Sequence, residues 1–408
     1  MSGKDYLHIW YLAQLTVVTF LLLLICAWEA VHGIVLVYRM IPVTLITVIG
    51  LVTTSWNAAP TWLKVGNRWL QAIVQPVILI VVWGFVTRSI IVRLQLPARG
   101  VVALTMLYYL VMFAPFASEI GGQLKWAAAR IFCLFWWFNI VVFGMDVALP
   151  QKFMGPHTFV VLISSGAAGA LAFFLLVTTV MRTWELSWPG LKPRFSWDVS
   201  WWVIAILLIV AAALIIWNAY GTGDHWYNVL FSYYFSWHTP SKMLTAKSFE
   251  AAVGEESLVR FGFLGTCLYA MRNWKNRVCW AVIVSSLLFG LMHYFNLFDQ
   301  HFDMTTVQAI NAFLLGLFLS VVYLYTGQLW LTMLIHFLFD WTAFTVSGTS
   351  TMAGHTNYMD WLTLLIEFIV LGGITAWMMF GNRRHVMERH ANKLIGEDQH
   401  FGFRLDFN

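Results

Sequence analysis

Runs of about twenty apolar residues recur along the whole 408-residue chain, separated by short polar connections. A run of that length is what an α-helix needs to cross roughly 30 Å of hydrocarbon, and in lipid the backbone must satisfy its own hydrogen bonds. The pattern therefore restricts the chain to an all-α, polytopic transmembrane helical bundle. Apolar segments fall near 10–29, 31–55, 69–89, 100–118, 126–149, 158–181, 200–219, 251–271, 278–298, 306–326, 328–346 and 359–380, which gives about 12 spans. Composition agrees: 60% of the residues are hydrophobic and only 11% charged, against about 25% charged in a soluble domain.

Arg39 and Arg130 interrupt the second and fifth segments, where an isolated arginine is expected to snorkel or to mark a span end. Cys26, Cys133, Cys267 and Cys279 lie in or beside apolar segments without CxxC spacing, so they read as packing residues rather than a disulfide frame or a zinc knuckle. The first apolar run has no small-x-small cleavage site after it and reads as an anchor. The net charge of +5 sits mainly in short loops and the tail, where it sets topology and does not form a nucleic-acid footprint.

Lysine and arginine in short loops concentrate on the cytoplasmic side. Arg272, Lys275 and Arg277 in one connection, and Arg383, Arg384, Arg389 and Lys393 in the tail, place both there, and the four spans between them agree in parity. Counting backwards adds the loop with Arg182, Lys192 and Arg194, the region with Lys125 and Arg130, the loop with Lys64 and Arg68, and the N-terminus. Arg88, Arg93 and Arg99 break the rule once.

Against this apolar background the stretch AAVGEESLVRFGF, residues 251–263, stands out. A charge at mid-bilayer costs roughly 2.5 to 3.5 kcal/mol on insertion scales, so three within six residues need a compensating purpose. Glu256 and Arg260 are i,i+4 and can neutralise each other, whereas Glu255 is turned about 100° away and has no local partner. An unpaired carboxylate in a low-dielectric site suits a general base; solvation at the aqueous end of the span would explain it equally well. Two further sets favour the first reading. Phe289 and His293 are i,i+4 in one apolar span, and His336 and Asp340 are i,i+4 in another. Counting parity places Glu255 in the first turns of an inward-running span, His293 near the end of an outward-running one and His336 in the outer half of a third, so that all share one layer.

The ordered set EESLVR, FGLMH and HFLFD resembles the EExxxR, FxxxH and HxxxN/D motifs of the CAAX protease and bacteriocin-processing (CPBP) family of intramembrane endopeptidases, which includes the type II CAAX prenyl endopeptidases. The resemblance spans residues 255–340 and implies a domain plan: residues 1–199 as an N-terminal helical region of unassigned role, 200–380 as a CPBP-like protease core, and 381–408 as a polar cytoplasmic tail. It further implies Glu255 as general base with His293 as its partner on water, Glu256 and Arg260 as a structural ion pair, and His336 with Asp340 facing the substrate carbonyl. Where the family has Asn an amide can donate to the oxyanion, while Asp340 can do so only if protonated. The family has been read both as metallopeptidases and as metal-free glutamic peptidases. No cofactor is favoured, although Glu255, His293 and His336 have the donor types of a three-ligand catalytic zinc site.

The expected partners are the lipid bilayer and a membrane-associated peptide or protein substrate, not a nucleic acid. An alternative is a non-catalytic immunity, scaffold or transport protein that uses the same polar cluster for binding; a membrane acyltransferase leaves the EExxxR set without a role. Glu29 with His32, and Asp146, read as groups solvated at span boundaries. Trp226, Tyr227, Tyr233, Tyr234 and Trp237 read as an interfacial aromatic belt, with a roof over a substrate groove as the other possibility.

Overall fold

The computed structural model describes residues 3–33, 37–56, 58–149, 157–187, 191, 193–236, 238–352 and 354–396, and all structural statements concern these residues. Lys192, Trp237 and the tail beyond residue 396 lie outside them. The chain divides into two compact units, Met1–Trp184 and Glu185–Arg404.

The first unit consists of α1 (Gly3–Val31), α2 (Val37–Ser55), α3 (Thr61–Arg93), α4 (Ala98–Val111), α5 (Ala114–Glu119), α6 (Ala127–Phe143), α7 (Met145–Ala148), α8 (His157–Ser164) and α9 (Ala167–Thr183). Its interior is locked by specific polar contacts. Pro76 inside α3 lacks the N–H that would bond to the carbonyl of Ala72, and the Trp137 indole of α6 donates to that carbonyl instead, at 2.8 Å. Trp136 donates to the neighbouring carbonyl of Ile73, also at 2.8 Å, so α6 is keyed to α3 at two successive positions. Arg130 does not snorkel. It is buried because the Leu124 carbonyl accepts from its Nε at 2.9 Å and the Trp184 ring lies 4.5 Å from its guanidinium, replacing what water would supply. Glu29 is likewise buried rather than solvated. His32 stacks on Trp28 at 4.0 Å, and exposed Asp146 accepts from Ser164 at 3.2 Å.

The second unit consists of α10 (Trp201–Tyr220), α11 (Lys242–Glu256), a π-helical turn (Ser257–Phe263), α12 (Leu264–Ala270), α13 (Arg277–Met292), a 3₁₀ turn (His293–Phe298), α14 (Phe302–Thr326), α15 (Leu329–Ser347), α16 (Tyr358–Met378) and α17 (Gly381–Leu394). Helices α13 and α14 approach closely through small residues. A Cβ on Gly290 would meet the Ala309 carbonyl oxygen at 2.6 Å, and one on Gly316 would meet the Ser286 Cβ at 3.0 Å. The approach fixes the end of α13, where His293 sits.

Among the described residues nine helices are long and apolar enough to cross a membrane, or ten if the bent pair α8 and α9, at 51°, is one span. The remaining two of the twelve expected segments are helical too, but α6 is short and the glutamate-bearing segment is interrupted by the π turn. That segment also starts earlier than its hydropathy indicates. The helix begins at Lys242 rather than near 251, because Lys242, Lys247 and Glu250 dilute the apolar signal without breaking the helix. Glu255 therefore lies near the middle of the continuous helical stretch from Lys242 to Ala270, not in its first turns, and the connection before it ends at Ser241.

The tail is not a loose polar extension either. Helix α17 buries Val386, Met387, His390, Ala391 and Leu394, His390 Nδ1 lies 2.8 Å from the Leu324 carbonyl, and Arg277 and Arg389 pair with Glu388 and Asp198 at 3.2 and 2.6 Å. Burial alone would raise the Asp198 carboxyl, but Ser196, its own backbone amide and Arg389 together hold it below the usual carboxylate range.

Candidate active site

All three sequence motifs meet, the first and third through Glu256 and His336 and the second through the Phe289 ring. Glu256 sits at the centre: Oε2 lies 3.1 Å from Arg260 Nε, and Oε1 lies 2.9 Å from His336 Nδ1. The Arg260 and Glu256 side chains are fully buried. The Arg260 guanidinium lies 4.9 Å over the Phe289 ring, so its charge is met by a carboxylate on its own helix and an aromatic face on α13. The π turn begins directly after Glu256. Such turns recur at functional sites, and here the irregular backbone carries Arg260.

His336 is placed between acids. While Nδ1 faces Glu256, Nε2 lies 3.5 Å from Asp340 and 3.8 Å from Glu255. Both ring nitrogens thus face carboxylate oxygens, the surroundings in which an imidazole carries two N–H donors. His293 is set differently. Its Nδ1 lies 3.0 Å from the Phe289 carbonyl, which can only accept, so Nδ1 is the donor there and Nε2 is not engaged by that contact. His293, His336 and Asp340 all lie close enough to interact with the charge of Glu255. Phe289 orders both imidazoles, edge to face with His293 at 5.0 Å and with His336 at 6.1 Å.

Exposure separates the acids. The Glu255 and Asp340 side chains retain 21% and 17% of their accessible surface, while Glu256 retains none and His336 only 4%. An outer pair of carboxylates therefore rests on a sealed inner triad of Glu256, Arg260 and His336.

Sequence reasoning passed over two residues here. Phe289 was part of a motif without a role, and it is the ring on which Arg260, His293 and His336 converge. Glu250 lies one helical turn and a half before Glu255 and interacts electrostatically with Glu255, Asp340 and His336. A third acid in SFEAAVGEE was the available signal.

No group of three His, Cys, Asp or Glu side chains among the described residues is arranged to hold a metal ion. Glu255, His293 and His336 do not form such a group among the described residues. No step is accordingly routed through a metal.

Fold and site together define a multi-pass helical membrane protein with a buried acid–histidine centre. Residues 237–342 match the family model described as type II CAAX prenyl endopeptidase Rce1-like, about a quarter of the chain and all six expected site residues. This segment is similar to the CAAX protease family of intramembrane endopeptidases, the family whose motifs the sequence resembles. No curated protein and no solved structure matches the chain.

Proposed function

We propose that the protein hydrolyses a peptide bond of a membrane-associated or lipidated protein or peptide, with Glu255 as general base. The observation that carries this reading is the difference in exposure between adjacent glutamates: Glu255 is reachable, and Glu256 is sealed by Arg260 and His336. A water between Glu255 and His293 gives one proton to the Glu255 carboxylate and offers the other to His293 Nε2. Its oxygen bonds to the scissile carbonyl carbon, and the displaced electron pair moves onto the carbonyl oxygen. His336 Nε2–H turns from Asp340 to donate to that oxyanion, while Glu256 on Nδ1 holds the ring. Collapse breaks the C–N bond, and the proton held by Glu255 passes to the departing amine. Glu256 and Arg260 hold His336 in register and do not meet substrate.

This mechanism needs no metal. Membranes from cells with the intact protein are expected to differ from those without it in the cleavage state of at least one membrane or lipidated protein, and that cleavage is expected to persist in a chelator. Identical cleavage profiles would remove the peptidase reading. Loss of activity to the chelator with recovery on adding Zn²⁺ would replace the metal-free step.

The charge pattern supports cytoplasmic termini, with the connection at 272–277 on the same side and Ser241 on the other. Single cysteines at Ser241 and Asn276, probed with a membrane-impermeant thiol reagent in intact cells, are expected to label at 241 and not at 276. The opposite pattern refutes this orientation.

A further inference from the structure

The first unit, to which the peptidase reading gives no role, carries a cleft of about 200 Å³ lined by Val65, Arg68, Trp69, Lys125, Trp126 and Ala129, with Leu124 at its base. A liquid water occupies about 30 Å³, so a phosphate group with its ester links fits. No carboxylate lines the cleft. Glu119, the nearest acid along the chain to Lys125, is engaged by His8 at 2.9 Å. Arg68 is held by Gln123, its Nε donating to Oε1 at 3.1 Å and its Nη1 to the carbonyl at 3.3 Å, which fixes the guanidinium at the cleft while Nη2 makes neither bond.

The cleft also lies at a defined depth. Helix α3 has 33 residues, about 50 Å at 1.5 Å per residue, and so overshoots the hydrocarbon core. Its polar opening turns, TWLKVGNRW, belong at headgroup level, where Trp62, Trp69 and the largely exposed Trp126 are the residue type that anchors at an interface. Helices α3 and α6 run the same way, because Arg68 meets Gln123 just before α6 while Ile73 meets Trp136 further along both helices. The first turn of α6, which borders the cleft, has no side-chain cap, so its free amides add positive potential to the two cations.

From this placement we infer that the cleft binds the phosphate of an anionic phospholipid headgroup, with Trp69 and Trp126 flanking the glycerol region. The shared chemistry is a phosphate oxyanion; depth and the tryptophans favour its lipid form over free phosphate. A basic group beside an anionic lipid surface is worth about 1 kcal/mol, and 1.4 kcal/mol is a factor of ten, so two such groups correspond to about thirtyfold and one to about fivefold.

Full-length protein in detergent, titrated with phosphatidylglycerol or phosphatidylcholine and read by native mass spectrometry, tests the site. Phosphatidylglycerol is expected to be retained at least tenfold more strongly, the Arg68→Gln/Lys125→Gln variant to lose about thirtyfold of that binding, and Lys125→Gln alone about fivefold. Melting in detergent checks the fold. Should the double variant unfold, Lys125→Gln, which removes no hydrogen bond seen in the structure, decides by itself. Equal retention of the two lipids, or unchanged retention in a folded variant, overturns the assignment. Displacement of the lipid by inorganic phosphate at equal concentration shows a free-phosphate site and overturns the lipid form.

Discussion

Glu255→Gln is expected to abolish peptide hydrolysis while leaving the protein folded in the membrane at wild-type abundance. The substitution keeps the volume and polarity of the side chain and removes only its capacity to take a proton. Loss of a positioned general base costs about 10² to 10⁴ in rate. Stability should hold because Glu255 is partly exposed and its nearest charged contact, His336 Nε2 at 3.8 Å, is shared with Asp340. His293→Ala should behave in the same way: its Nδ1 contact is to a carbonyl on its own helix, so no distant element loses an anchor. The measurement is turnover of a membrane-inserted reporter peptide beside size-exclusion elution of the fluorescently tagged protein. Wild-type turnover by a well-expressed Glu255→Gln protein removes the assignment.

The side chains that meet at the site were legible in the sequence because charge is costly in oil. Six ionisable residues within apolar runs are conspicuous, and helical spacing alone pairs Glu256 with Arg260 and His336 with Asp340. Contacts between helices were not legible. Spacing gives no sign that His336 Nδ1 turns to Glu256 across eighty residues, a contact that joins His336 to the sealed pair of Glu256 and Arg260. Fold boundaries divided in the same way. Apolar runs marked nearly every helix, but Lys242, Lys247 and Glu250 hid the first half of the glutamate helix, and α17 was too polar to show that five of its side chains are buried. The keying of α6 to α3 was hidden for another reason: a proline in an apolar run signals a missing donor, and nothing local says that a tryptophan sixty-five residues away will supply it.

Glu256→Ala is expected to fail by a different route from its neighbour. Arg260 is fully buried and, among the described residues, its ion pair is with Glu256 while Nη1 and Nη2 make no hydrogen bond. Removing the carboxylate leaves a buried guanidinium with the Phe289 face and the more distant Glu255 charge, and breaking a buried pair in this way costs about 3 to 5 kcal/mol. A loss of that size is a large part of a domain's stability, so abundance in the membrane should fall together with activity. The same carboxylate also anchors His336 Nδ1, so the fraction that does fold should hold the oxyanion donor less firmly. Replacing both partners, Glu256→Gln with Arg260→Met, separates the two effects. Without a stranded charge the double variant should recover abundance relative to Glu256→Ala, while turnover stays low because a neutral amide holds His336 less strongly than a carboxylate does. Equal abundance of Glu256→Ala and wild type in the membrane fraction would show that the pair does not carry the fold, and full turnover in the double variant would show that Glu256 does not position His336.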